Sequence, residues 1–224
     1  MKKIFIIDGN SLVNRAFYAL PLLANSDGVY SNAVFGFVNC LVKLISENNP
    51  DYLVVAFDHA RKTFRNELYA EYKGTRKETP IELRPQFAIL KDMLTSMGIK
   101  CIEQEGIEAD DIIGTITRLS GIENYIITGD RDSLQLINDT TKVWLTQKGI
   151  TDIKEVNLNN IQELYSLTPG QVIEYKALAG DSSDNIPGIP GIGEKTAINL
   201  LSEFKDVDNL YNNLDKLKNV FSPL

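Results

Sequence analysis

IFIID at residues 4–8 runs four apolar side chains straight into a carboxylate. That pattern suits a strand buried on both faces, with its carboxyl end opening at the edge of a sheet. LVVAFD at 53–58 and YIITGD at 125–130 repeat it. Helical patterns over 33–45, 85–97 and 109–119 fill the intervals, so strand and helix alternate as a doubly wound, mostly parallel α/β sheet requires. Ligands of such sheets gather outside the carboxyl ends of the strands, where Asp8, Asp58 and Asp130 are expected to emerge.

Beyond about Asn157 the strand signal fades. Helical segments are expected over 160–166, 169–179 and 194–204, the last two separated by Pro187, Gly188, Pro190, Gly191 and Gly193. The reading is a core over 1–158, containing a basic segment at 61–91, followed by a helical subdomain over 159–224. With 224 residues and 43% hydrophobic content the chain can bury a core plus such an appendage. No apolar run is long enough to span a bilayer, and Met1–Asp8 reads as a strand rather than a secretion signal, so a cytoplasmic protein is expected. Cys40 and Cys101 sit in apolar stretches and read as reduced core thiols.

Nine acidic residues come in tight groups: Asp8; Asp58; Glu108, Asp110 and Asp111 in GIEADD; Asp130 and Asp132 in TGDRD; Asp181 and Asp184 in GDSSD. Any one of them is most simply a helix cap or a solvated charge, and GIEADD is also what the preference for acidic residues at a helix start would produce. Taken jointly they repel, and hard divalent ions such as Mg²⁺ or Mn²⁺ would neutralise them through oxygen ligands. Nine exceeds the needs of one ion. Two ions could clamp the attacking and leaving oxygens of a phosphodiester, so hydrolysis is the implied chemistry.

The net charge of −7 is uninformative about a nucleic-acid partner, because without these nine charges the remainder is +2. Residues 61–91 carry eight basic side chains, starting at Arg61, against four acidic ones. Within TFRNELYAEYKGTRKE (63–78), Phe64, Tyr69 and Tyr72 interleave with Arg65, Lys73 and Arg76, a mixture suited to stacking unpaired bases and holding phosphates. A solvated helix face would also alternate charges. In NIPGIPGIGEKTA (185–197), Gly188, Gly191 and Gly193 precede a helix start whose N–H groups, with Lys195, suit a phosphate. His59 follows an expected ligand and is assigned no role.

IDGNSLVNRAFYAL (7–20), TFRNELYAEYKGTR (63–76), GIEADDIIGT (106–115), TGDRDSLQL (128–136) and GDSSDNIPGIPGIGEKTA (180–197) together resemble, over nearly the whole chain, the 5′-nuclease domain of bacterial DNA polymerase I and its flap-endonuclease relatives. The resemblance implies a mostly parallel sheet carrying the metal site, a helical arch at 61–91 and a helix-hairpin-helix subdomain that grips duplex. It implies that Asp8, Asp58, Glu108 and Asp110 serve a first divalent ion and Asp130, Asp132 and Asp181 a second, with Asp111 and Asp184 at the margin. Lys73 and Arg76 match arch positions that contact the scissile phosphate, with Tyr72 a stacking partner. Gly188, Gly191 and Gly193 match a hairpin that binds duplex phosphates with a K⁺ ion. The implied substrates are DNA with 5′ flaps or 5′ ends and RNA primers, cut by a monomer in the nucleoid-associated cytoplasm. TRLSGIENY (117–125) is shorter than the family's connection, and the chain stops at Leu224 where relatives continue. It is therefore either a piece of a DNA polymerase I or a short stand-alone nuclease. A non-catalytic relative that binds branched DNA and a PIN-type ribonuclease are the rival readings.

Overall fold

A computed structural model describes residues 1–59, 62–147, 149 and 152–217. Arg61, the first cation of the basic segment, and residues 218–224 of the expected subdomain lie outside the described residues. Two compact units result, one of Met1–Ala70 and Lys77–Asn157, the other of Glu71–Arg76 and Leu158–Leu224. Six residues of the basic segment thus belong with the C-terminal unit, which local composition does not reveal.

The first unit runs β1 (Lys2–Asp8), α1 (Gly9–Ala19), α2 (Asn32–Asn48), β2 (Tyr52–Ala56), α3 (Phe64–Leu68), α4 (Arg84–Ser96), β3 (Lys100–Ile102), α5 (Ala109–Ile116), β4 (Ile122–Thr128), a 3-10 helix (Arg131–Leu136), β5 (Thr141–Thr146) and β6 (Ile153–Val156). Its sheet has the order β3-β2-β1-β4-β5-β6. Every pairing is parallel except β5 with β6, which closes one edge in the antiparallel sense. β1 lies inside the sheet, pairing Asp8 with Ala56 on one side and Ile7 with Ile127 on the other. Phe5, Ile6 and Ile7 are accordingly buried, as an unbroken apolar run between two helical layers must be.

α2, α4 and α5 match the sequence periodicity to within a few residues, whereas α1, β5 and β6 are elements that the sequence reading does not include. α1 buries Leu12, Val13, Ala16 and Phe17 on one face. Its helical start is overshadowed in the sequence by the carboxylate that ends β1 and the glycine that follows it. The segment implied to form a helical arch contains the five-residue α3, then turns and extended chain up to Leu83. Lys73 there has a φ of +56°, which no right-handed helix accommodates.

The second unit carries α6 (Ile161–Tyr165), α7 (Gln171–Ala179), a hairpin of β7 (Gly180–Asp181) and β8 (Ile186–Pro187), α8 (Glu194–Phe204), α9 (Val207–Tyr211) and α10 (Leu214–Leu217). Leu167, Leu178, Ala197, Leu200, Leu201, Phe204 and Leu210 form its core. A Cβ on Gly188 would lie 2.3 Å from the Ala179 carbonyl carbon, so the hairpin folds back onto the end of α7 only with glycine there. No described helix is long and apolar enough to cross a membrane.

Candidate active site

Asp8 ends β1 and caps α1, its Oδ1 accepting from the Ser11 N–H at 2.9 Å. Its Oδ2 accepts from the Thr128 hydroxyl at 2.7 Å. The same Thr128 oxygen accepts from the Asp130 N–H at 3.0 Å, and Ser11 Oγ accepts from the Gly129 N–H at 2.8 Å. On the other flank the Asp58 N–H donates to Asn10 Oδ1 at 3.1 Å, while Asp58 Oδ1 accepts from the Ala109 N–H at 2.8 Å. The carboxyl ends of β1, β2 and β4 and the start of α5 are thereby knitted into one edge. Asn10, Ser11 and Thr128 do this work and had no charge to signal it in the sequence.

Burial pushes the Asp8 carboxyl up to about 6, with the like charges of Asp58 and Asp130 adding to the effect against the bonds from Ser11 and Thr128. As they stand, no three acidic, histidine or cysteine side chains among the described residues are gathered so as to hold a metal ion. The donor set nonetheless fits a hard divalent cation: all ligands are oxygen, and the buried anion at its centre is uncompensated. Asp132 lies in the first turn of the 3-10 helix that Asp130 caps, with the Asp132 N–H donating to Asp130 Oδ1 at 2.9 Å.

Glu108, buried, and Asp111 form a capping box at the start of α5, and Asp110 sits in that first turn. Thr63 Oγ1 donates to Glu108 Oε1 at 3.3 Å. Arg65, expected to meet DNA, instead grips Asp111 with two bonds of 2.8 Å and lies 3.7 Å from Glu108 Oε2. The Asp111 charge is thus balanced by the Arg65 guanidinium through paired, charge-assisted bonds.

In the second unit both remaining acids also have cations. Lys176 and Ser183 donate to Asp181. Burial works against its ionisation, but those bonds and the Lys176 charge outweigh burial and hold the carboxyl down to about 2. Asp184 accepts from Arg76 and from the Tyr72 hydroxyl. Tyr72, expected to stack on a base, is 8% exposed, because its ring is buried and its hydroxyl turned to this carboxylate. Lys73 is half-buried, with its ammonium 5.0 Å from the Tyr72 ring centre. Gly191 has a φ of +84°, and Gly193 caps α8 with no side chain to occupy the first-turn N–H groups. Lys195 is exposed at that end.

Carboxylates at the carboxyl edge of a parallel sheet, beside a buried anion, have the chemistry that metal-assisted hydrolysis draws on. The model of the 5′-3′ exonuclease N-terminal, resolvase-like domain matches residues 3–166, and that of the 5′-3′ exonuclease C-terminal SAM fold matches residues 167–222. DNA polymerase I of Bacillus caldotenax is 48% identical over 220 residues, covering 97% of this chain and 25% of that protein. The bacteriophage T5 D15 protein co-crystallised with metal ions superposes with a TM-score of 0.77 at 26% identity, covering 95% of this chain and 79% of that one. The T5 D15 flap endonuclease in a pseudo-enzyme-product complex with DNA and metal ions gives 0.75 at 27% identity, with the same coverage. The chain belongs to the 5′-3′ exonuclease family and is a nuclease. It spans about a quarter of the length of the DNA polymerase I proteins it matches.

Proposed function

We propose that the chain is a structure-specific 5′-nuclease that hydrolyses DNA phosphodiesters at 5′ flaps and 5′ ends with two divalent cations, Mg²⁺ or Mn²⁺. The observation that carries this is the set of hydrogen bonds from Ser11, Thr128 and Ala109 that brings Asp8, Asp58 and Asp130 to one carboxyl edge of the sheet. The T5 flap endonuclease held with DNA and metal ions supports it. Asp8, Asp58, Glu108 and Asp110 would serve one cation and Asp130 and Asp132 the other, to which the family resemblance also assigns Asp181. Bound, they would supply the water activation and charge neutralisation that phosphodiester hydrolysis needs. The chain's own residues set this up. The Ser11 and Ala109 N–H groups orient the Asp8 and Asp58 carboxylates, and Thr128 ties Asp8 to Asp130.

Lys73 and Arg76 would stabilise charge on the scissile phosphate, as preorganised cations do. The open start of α8, with Gly191, Gly193 and Lys195, would bind duplex phosphates without reading sequence, with K⁺ as a bridging ion. The DNA polymerase I relatives, about four times as long, support an attached polymerase. Removal of RNA primers in replication and repair, by a monomer in the nucleoid-associated cytoplasm, is part of the same proposal. Residues 1–158 would form the catalytic core and 159–224 the duplex grip.

Asp130→Asn should abolish cleavage of a 5′-flap substrate in Mg²⁺ while leaving that DNA bound in Ca²⁺; undiminished turnover would defeat the assignment. A parallel RNA hairpin that is cut while the flap is not would favour a ribonuclease, and binding without any Mg²⁺-dependent cleavage a non-catalytic relative.

A further inference from the structure

The turn at Ser183–Asn185 meets the 71–76 stretch at five points, all inside the second unit. Asp184 supplies three of them. Its Oδ2 accepts from the Tyr72 hydroxyl at 3.0 Å, its Oδ1 from Arg76 Nη2 at 2.5 Å, and its backbone carbonyl from the Lys73 N–H at 2.9 Å. Asn185 Nδ2 donates to the Glu71 carbonyl at 2.9 Å, and Arg76 Nε donates to the Ser183 carbonyl at 3.4 Å. Asp184 is 9% exposed and Tyr72 8%, so their bond is shielded from water. Lys73 and Asn185 have φ of +56° and +58°, conformations that residues with side chains adopt only where surrounding contacts hold them.

We propose that Asp184 is a positioning residue: with Tyr72 and Arg76 it docks the 71–76 stretch onto the 183–185 turn and so fixes the backbone from which the Lys73 ammonium projects. A carboxylate whose oxygens serve a hydroxyl and a guanidinium already has its charge balanced. The inference deepens the reading of Lys73 as a cation for the scissile phosphate and rests on it for its catalytic consequence, though the docking itself does not.

The test compares the whole chain with Asp184→Asn, Tyr72→Phe and the double variant. Limited trypsin digestion without metal reads the docking, because Lys73, Arg76 and Lys77 are cleavage sites within or beside it and cleavage tracks the population of the open form. Each single variant should be cut there about tenfold faster, with the double variant no faster than either, since one hydrogen-bonded unit is lost once. Mn²⁺ binding, measured by electron paramagnetic resonance, should stay within about threefold of wild type. Single-turnover cleavage of a 5′ flap by Asp184→Asn should slow about tenfold at unchanged flap affinity in Ca²⁺, with no further slowing when added to Lys73→Ala. An unchanged trypsin rate overturns the docking, and so does a larger loss of Mn²⁺ affinity, which would make Asp184 an ion ligand. If Asp184→Asn fails to fold, Tyr72→Phe, which keeps every charge, decides the question alone. Full activity in Lys73→Ala would remove the role of Lys73 while leaving the trypsin result to judge the docking.

Discussion

Asp8→Asn should stabilise the metal-free protein while destroying its function. The Asp8 carboxyl rises from its ordinary 3.8 to about 6, first because it is buried and then because Asp58 and Asp130 repel it. Two units correspond to about 3 kcal/mol against the anion at neutral pH, an upper limit for what neutralising it returns. Asparagine keeps an oxygen for the Ser11 N–H, so the cap on α1 survives. The Thr128 hydroxyl loses its acceptor, at a cost of about 1 kcal/mol. The net gain is roughly 1–2 kcal/mol, or a Tm higher by about 4 °C for a chain of this size.

The pH dependence follows from the direction of the shift. A carboxyl with a raised folded-state pKa is accommodated in its neutral form below its ordinary value, and that stability is lost as pH rises through the folded value. The variant's advantage should therefore be absent below about pH 4, grow between pH 4 and 6, and stay level above. Saturating Mg²⁺ should invert the order, since only wild type gains the linkage energy, about 2.7 kcal/mol at a hundred times Kd. Thermal melts by circular dichroism from pH 4 to 8, in EDTA and in Mg²⁺, check both parts. A variant less stable than wild type at pH 8 in EDTA would refute the reasoning.

Arg65→Gln and Asp111→Asn should each destabilise the protein by about 1–3 kcal/mol, and the pair by less than the sum, because Arg65 holds Asp111 with two bonds. Urea unfolding of the four proteins measures the coupling, and strict additivity would show that the two bonds contribute no pairwise stability. Gly188→Ala drives a methyl to 2.3 Å from backbone and should cost about 1–3 kcal/mol, the range for overpacking, seen as a Tm lowered by roughly 5 °C; an unchanged Tm would show that the hairpin can relax. Gly9→Ala places a Cβ 2.5 Å from the Phe57 ring and should loosen the junction between β1 and α1, read as faster amide exchange at Ser11; exchange at the wild-type rate would argue that the ring swings aside.

The parallel sheet was legible because a strand buried on both faces must be apolar throughout, and IFIID, LVVAFD and YIITGD have that form. The short partner strands β5 and β6 mix polar and apolar residues without such a run, and α1 starts where a strand motif is still being read. The acidic residues were legible for the same local reason: carboxylates at strand ends and helix starts stand out against what precedes them. Their separate fates were not. Whether a carboxylate is free to meet an ion depends on which cation reaches it, and Arg65 lies 46 residues from Asp111 and Arg76 lies 108 from Asp184. Sequence alone determined the parallel centre of the sheet, the family and the set of nine acids. Tertiary structure decided which of them are neutralised in place and which repel, because charge compensation is a matter of a few ångströms between groups that chain order keeps apart.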